Sequence, residues 1–311
     1  MSKSKSVSQK TLMHSISCSG TGLHSGHKVN MTMHPAGPGT GVVFRRGDVS
    51  SRIADVPARF DRVTASTMGT TISNDESVSV ATVEHLLAAL SGSGIDNVIV
   101  ELDAGEVPIM DGSAAPFMML LECAGAVEQC AQRRTLRVLK HVELREGDKV
   151  VSIGPADELS VGFEIDFDSA AVCHQSGQFA MNNGAFKSEL SRARTFGFLK
   201  EVDMLRANGF ALGGSLDNAV VVDEDKILNE DGLRYPDEFV RHKMMDVIGD
   251  LYLAGAPVEG HFYGVRSGHS MNNKLLHALF SDRSAWCWSS ERTPRDGSEL
   301  DWQDEAEAAI A

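Results

Sequence analysis

His242 and Asp246 stand four residues apart in RHKMMD, within a run whose apolar residues recur at helical spacing. On a helix this spacing puts both side chains on one face, one turn apart, and Asp250 continues the stripe. Met244, Met245, Val247, Ile248, Leu251 and Leu253 can bury the remainder. A bare carboxylate on a buried helix is costly, so each needs a partner, and a metal ion would serve. A solvated polar face carrying a chance His and Asp gives the same spacing. Glu84-His85 in TVEHLLAAL is the second element. Adjacent helical residues point about 100° apart and so take different roles. A His holding zinc beside a Glu acting as base is the logic of metalloprotease helices. A surface Glu next to a half-buried His would look the same. Together His85, His242 and Asp246 make a two-His, one-carboxylate set. Three protein ligands plus an open water position is the pattern of catalytic zinc. Gly268-His269-Ser270 is the third element. A helix start tends to lower a histidine pKa, and a carboxylate such as Asp250 would oppose that. A turn histidine bonded to backbone is the plainer alternative.

The elements that must position these groups are legible as patterns. Val29, Met31 and Met33 alternate with polar residues, as in a half-buried strand, and Gly41 to Arg46 reads as another. SVSVATVEHLLAALSGSGIDNVIVELDA reads as strand, helix, Gly-rich stop and strand, with Thr82 as helix N-cap. Asp111-Gly112-Ser113 is a turn from which Ser113 can cap SAAPFMMLLECAGAV. Strands are expected around Lys149 to Ile153 and Leu159 to Phe167. A long helix should begin near Asp237 and stop at Gly255 and Pro257. HFYGVRS then reads as a strand and NNKLLHALF as a helix capped by Ser270. Both halves run helix, strand, Gly-containing turn, helix, which suggests a duplicated α+β module. Residues 1–10 are expected to be a flexible N-terminus, 11–127 a first domain, 128–138 a polar linker, 139–284 a second domain and 285–311 a flexible acidic tail. The end of that tail, AEAAIA, is a candidate protease-recognised turnover signal. With the chain ending at Ala311, a fused second enzyme is not expected.

Composition narrows the classes. A chain of 311 residues with 42% hydrophobic and 23% charged content can build a large core. A net charge of −14 argues against nucleic acid as partner. An anionic small substrate would need a local Lys/Arg cluster. The 5 cysteines (Cys18, Cys123, Cys130, Cys173, Cys287) form no CxxC pair, so a reducing compartment and no cysteine metal site are expected. MSKSKSVSQK lacks the apolar core of a signal peptide. No run approaches the roughly 18 apolar residues a membrane span needs. A cytoplasmic monomer is expected.

TVEHLLAALSGSGIDNVIVEL, PIMDGSAAPF, SRARTFGF, LGGSLDNAVVVD, LNEDGLRYPDEFVRHKMMDVIGDL and GHSMNNKLL, with GTGLHSGHKVNMTMHPA, resemble the UDP-3-O-acyl-N-acetylglucosamine deacetylase family. The resemblance runs from about Thr11 to about Leu279. It implies an α+β, two-domain sandwich of duplicated βααβ-type modules, with helices packed between sheets and the active site between the domains. Each domain would carry an insert, near residues 50–74 and 196–222, the second forming a passage for an acyl chain. It implies zinc, with iron(II) able to use the same ligands, held by His85, His242 and Asp246. Glu84 would be general base, and His269 the protonated partner, oriented by Asp250. Thr195 would donate to the oxyanion. Lys243 would contact the nucleotide part of the acylated UDP-sugar, with Phe196 and Phe198 as packing surfaces, and Lys149 the sugar. Met68-Gly69-Thr70 stands where relatives often have bulkier residues and a Cys, which bears on the acyl-chain preference at Met68. An inactive, metal-stabilised relative should lack Glu84, His269 or Thr195, and all three are present. A related amidase acting on another acylated nucleotide sugar would share this chemistry.

Overall fold

Short strands and two helices build the first half of the chain. In a computed structural model describing residues 7–182 and 184–289, these are β1 (Ser8–Leu12), β2 (Ile16–Thr21), β3 (Lys28–Pro35), β4 (Val42–Arg46), β5 (Asp55–Pro57), β6 (Val63–Ala65), β7 (Thr71–Ser73), β8 (Ser79–Val80), α1 (Glu84–Ser93), β9 (Val98–Leu102), α2 (Ala115–Ala124) and β10 (Ala126–Gln132). The second half has β11 (Leu136–Val138), β12 (Val142–Glu146), β13 (Lys149–Gly154), β14 (Leu159–Asp166), β15 (His174–Ala180), β16 (Phe196–Phe198), α3 (Leu199–Ala207), β17 (Val220–Asp223), β18 (Lys226–Ile227), α4 (Glu238–Tyr252), β19 (Val258–Val265), α5 (His269–Ser281) and β20 (Trp286–Trp288).

The duplication is plain in the strand pairing. The first sheet runs β2-β3-β9-β4-β5, with β4 and β9 parallel and the other pairs antiparallel. In the second, β12 pairs β13, β13 pairs β19, β19 pairs β14 in parallel, and β14 pairs β15. The flanking strands follow the same rule, with β1 antiparallel to β10 and β11 antiparallel to β20. Helix α1 therefore corresponds to α4, and α2 to α5. Each repeat is an α+β module, and the two are joined where α1 packs on α4. A single apolar cluster runs through both halves, from Leu12 to Trp286. In α1 the side chains of Leu86, Leu87 and Leu90 are fully buried, each contributing roughly 1.5–3 kcal/mol.

Between the matched elements lie the non-duplicated ones. In residues 50–74, β5 still belongs to the matched first sheet, and the short 3-10 turn, β6 and β7 that follow it are the non-duplicated part, with β6 and β7 joining β8 in a small sheet. Residues 196–222 carry β16, α3 and part of β17, whose sheet is completed by β18.

Several local expectations are corrected. Ser8 to Lys10 are not a frayed end but part of β1, while residues 1–6 lie outside the described residues. The segment taken as a linker, 128–138, holds most of β10 and all of β11. Strand β10 alternates exposed and half-buried positions, so its one charge, Glu128, faces solvent and its sequence reads like a connection. Ala285, Trp286 and Cys287 are buried at the start of the supposed tail, because β20 adds to the second sheet. The candidate turnover signal at the end of the tail, AEAAIA (residues 306–311), lies outside the described residues. Thr82 does not cap α1, since its backbone is left-handed (φ 57°) and its hydroxyl donates to Glu106 Oε1 at 3.0 Å. Ser270 does not cap α5 either, because that helix opens one residue earlier, at His269.

Candidate active site

Gly249 sets the geometry. A Cβ at this position of α4 would stand 2.0 Å from the Glu84 carbonyl oxygen, so the two central helices touch backbone to backbone at the start of α1. The crossing brings Glu84 and His85 of one repeat against Asp246 and Asp250 of the other. All four are at most 3% exposed, and His242 is 2% exposed, which removes the reading of a solvated helix face.

His85 Nε2 lies 3.5 Å from Asp246 Oδ1, and His242 Nε2 lies 3.4 Å from the same oxygen. The three ligand atoms fall within 4.8 Å of one another. Tetrahedral ligands at zinc-like bond lengths of 2.0–2.1 Å would be about 3.3 Å apart, close to the two shorter separations. Asp246 Oδ1 is buried with no hydrogen-bond partner. An ionised oxygen left so is costly, and a cation would satisfy it. His242 Nδ1 donates to the Ala193 carbonyl at 3.1 Å, which leaves the Nε2 lone pair free. Burial pushes His242 down to about 3, so it is neutral at neutral pH, the form that ligates a metal. Burial works against charge on Asp246, but the surrounding partners, with Lys243, the His85 contact and charged His269 among them, hold the carboxyl well below its usual range. The donor set fits a divalent metal ion.

His269, the first residue of α5, is placed by Asp250. Its Nδ1 donates to Asp250 Oδ2 at 2.8 Å, while its Nε2 lies 3.8 Å from Glu84 Oε1 and 3.8 Å from Asp246 Oδ2. Burial and the helix start oppose its charge, yet the carboxylates of Asp250 and Glu84 prevail and push it up to about 9. Burial raises the Glu84 carboxyl, and the nearby histidines temper that rise. An ionisable base and a charged imidazole thus face each other beside the ligand set.

A cavity of about 740 Å³ opens here. Met68, Glu84, His85, Lys149, Thr195, Phe196, Phe198, His242, Lys243, Asp246 and His269 all line it. Asp250, alone of the expected residues, stands behind His269. Lys243 Nζ donates to Asp246 Oδ2 at 3.0 Å and lies 5.8 Å from the centre of the Phe196 ring. One wall is apolar and comes from the 196–222 segment, with Leu199, Val202, Leu205 and Leu216 lining the cavity.

The sequence reading missed the support behind Thr195. Arg194 and Glu238 form a buried ion pair with side chains 7% and 0% exposed. Arg194 Nε donates to Glu238 Oε1 at 2.8 Å and one terminal nitrogen to Oε2 at 3.1 Å. Backbone N–H groups of Arg194 and Arg234 add bonds of 2.9 and 2.6 Å. The pair fastens the 193–195 strip to the first turn of α4. The strip's Ala193 carbonyl orients His242, and its Thr195 N–H donates to the Gly112 carbonyl at 2.8 Å.

Two histidines and a carboxylate with an orphaned oxygen, beside an acid–base pair that lines a largely apolar cavity, form the constellation used by metal-dependent hydrolases. Residues 9–281 match the LpxC family, UDP-3-O-acyl N-acetylglycosamine deacetylase, and the chain belongs to it. It is similar to the UDP-3-O-acyl-N-acetylglucosamine deacetylases of Idiomarina loihiensis (50% identity over 90% of this chain and 92% of the relative) and Stenotrophomonas maltophilia K279a (50% over 93% and 95%). The Haemophilus influenzae 86-028NP deacetylase of the same name is 49% identical over 90% and 92%.

Proposed function

We propose that this protein hydrolyses the N-acetyl amide of UDP-3-O-acyl-N-acetylglucosamine, releasing acetate and UDP-3-O-acyl-glucosamine for lipid A biosynthesis. The reading is carried by one observation. His85 from one repeat and His242 and Asp246 from the other converge on a cavity that also receives Glu84 and His269. Those three residues would hold zinc, and iron(II) suits the same ligands. When bound, the ion supplies a water of lowered pKa and polarises the amide carbonyl.

The remaining work falls to the chain itself. Glu84, ionised, takes the proton from the attacking water. His269, held charged by Asp250 at 2.8 Å, stabilises the oxyanion and gives its Nε2 proton to the leaving amine. The Thr195 hydroxyl donates to the oxyanion. Lys243 contacts the nucleotide portion, with Phe196 and Phe198 as packing surfaces, and Lys149 reaches the sugar. Met68 and the apolar wall of the 196–222 segment take the acyl chain. No helix among the described residues is long and apolar enough to cross a membrane. The enzyme acts in the cytoplasm, as a monomer, on a UDP-sugar.

The test is direct. Incubation with UDP-3-O-acyl-N-acetylglucosamine should release acetate and free amine in equal amounts, and Glu84→Gln should lower turnover by about 10²-fold or more. No turnover by folded, metal-loaded protein would reject the proposal.

A further inference from the structure

The groups assigned to proton transfer sit on three separate helices. Glu84 opens α1, Asp250 lies near the end of α4, and His269 opens α5. One residue touches all three. Thr70, immediately before β7, donates its backbone N–H to Glu84 Oε2 at 3.0 Å and its hydroxyl to Asp250 Oδ1 at 2.6 Å. The hydroxyl oxygen also lies 3.3 Å from His269 Nδ1. The Thr70 carbonyl accepts the Val83 N–H at 3.2 Å, pinning this residue to the start of α1 as well. The preceding residue permits the approach, since a Cβ on Gly69 would stand 2.8 Å from Glu84 Oε1.

We infer that Thr70 is a positioning residue that locks the base of one repeat to the Asp250–His269 pair of the other. The distribution of donors on Asp250 gives the reason. His269 Nδ1–H and Asn272 Nδ2–H both fall on Oδ2, each at 2.8 Å. Among the described residues, Thr70 supplies the donor to Oδ1. Without the hydroxyl, Oδ1 becomes a buried carboxylate oxygen with no donor, and the carboxylate must turn to find one. A turn of Asp250 carries the His269 ring with it, and Nε2 leaves its place opposite Glu84. Thr70 does not line the cavity, so it acts through these side chains and not by touching substrate.

The inference rests on the deacetylase reading for its kinetic consequence, and its geometric content is testable without substrate. Thr70→Val keeps the shape and removes the hydroxyl, whereas Thr70→Ser keeps the donor. For Thr70→Val, kcat should fall about tenfold, part of the 10²- to 10⁴-fold that a placed acid–base group contributes, with KM within about twofold of wild type. The His269 imidazole ¹⁵N and Nδ1–H resonances should shift in Thr70→Val without substrate, and Thr70→Ser should retain wild-type kinetics and resonances. Unchanged kcat and unchanged resonances in Thr70→Val would overturn the inference. So would an equal loss in both variants accompanied by lowered thermal stability, which marks a packing role alone. A wild type that turns over nothing, beside a shifted His269 resonance in Thr70→Val, would reject the deacetylase reading and sustain the positioning role.

Discussion

Arg194→Met isolates the energetic cost of holding the site's back wall. The substitution keeps most of the apolar stem but removes the guanidinium donors that bond both Glu238 oxygens at 2.8 and 3.1 Å. Glu238 is fully buried, so its carboxylate cannot recover those bonds from solvent. Breaking a buried pair by deleting one partner costs about 3–5 kcal/mol. The lower end applies here, because the backbone N–H groups of Arg194 and Arg234 remain on the carboxylate and it sits at the start of α4. A loss of about 3 kcal/mol corresponds to a fall in Tm of roughly 6 °C for a chain of this size, taking about 2 °C per kcal/mol. Calorimetry on metal-free protein reads this without interference from ligand binding. A metal titration should show weakened affinity as well, since the Ala193 carbonyl that fixes His242 belongs to the same strip. A stability loss below about 1 kcal/mol, the value of an exposed pair, would refute the reasoning.

Three further perturbations follow from the same geometry. The pH profile of kcat should be a bell, because Glu84 must be ionised and His269 protonated. The raised Glu84 pKa moves the acid limb above the usual carboxylate range, and the alkaline limb should fall near 9 as His269 loses its proton. A flat rate between about pH 5 and 10 would contradict both assignments. Gly249→Ala drives a methyl into the Glu84 carbonyl, so the helices must separate, at a cost of about 1–3 kcal/mol and a loss of metal affinity measurable by titration. Leu205→Trp, on the apolar wall, should slow long-acyl substrates more than short ones in parallel turnover assays, and equal slowing would place the acyl chain elsewhere.

Much of this site was legible in the sequence because helices impose a fixed spacing. His242, Asp246 and Asp250 share a face of α4 by the rule of four, and the order of elements in the two halves announced the duplication. What stayed hidden depends on contacts between distant segments. Neither Thr70 nor Arg194 has a local pattern that announces its partner 180 or 44 residues away. Gly249 did leave a signal, since a glycine inside a helix costs about 1 kcal/mol against alanine and calls for a packing reason. The misread segments have a common cause. Strand β10 presents polar residues to solvent on one face and buries none on the other, so its residues read as a linker. Left-handed Thr82 mimics a cap in sequence while spending its hydroxyl on Glu106.

The central claim is that two repeats jointly build one metal site on which deacetylation depends. Zinc content and turnover measured on the same samples, for wild type and Asp246→Ala, test it most directly. Chelated wild type should lose turnover and recover it with about one equivalent of zinc, while Asp246→Ala should neither retain that equivalent nor turn over. Metal-free wild type that still deacetylates, or an Asp246→Ala protein that binds zinc and works normally, would contradict the account.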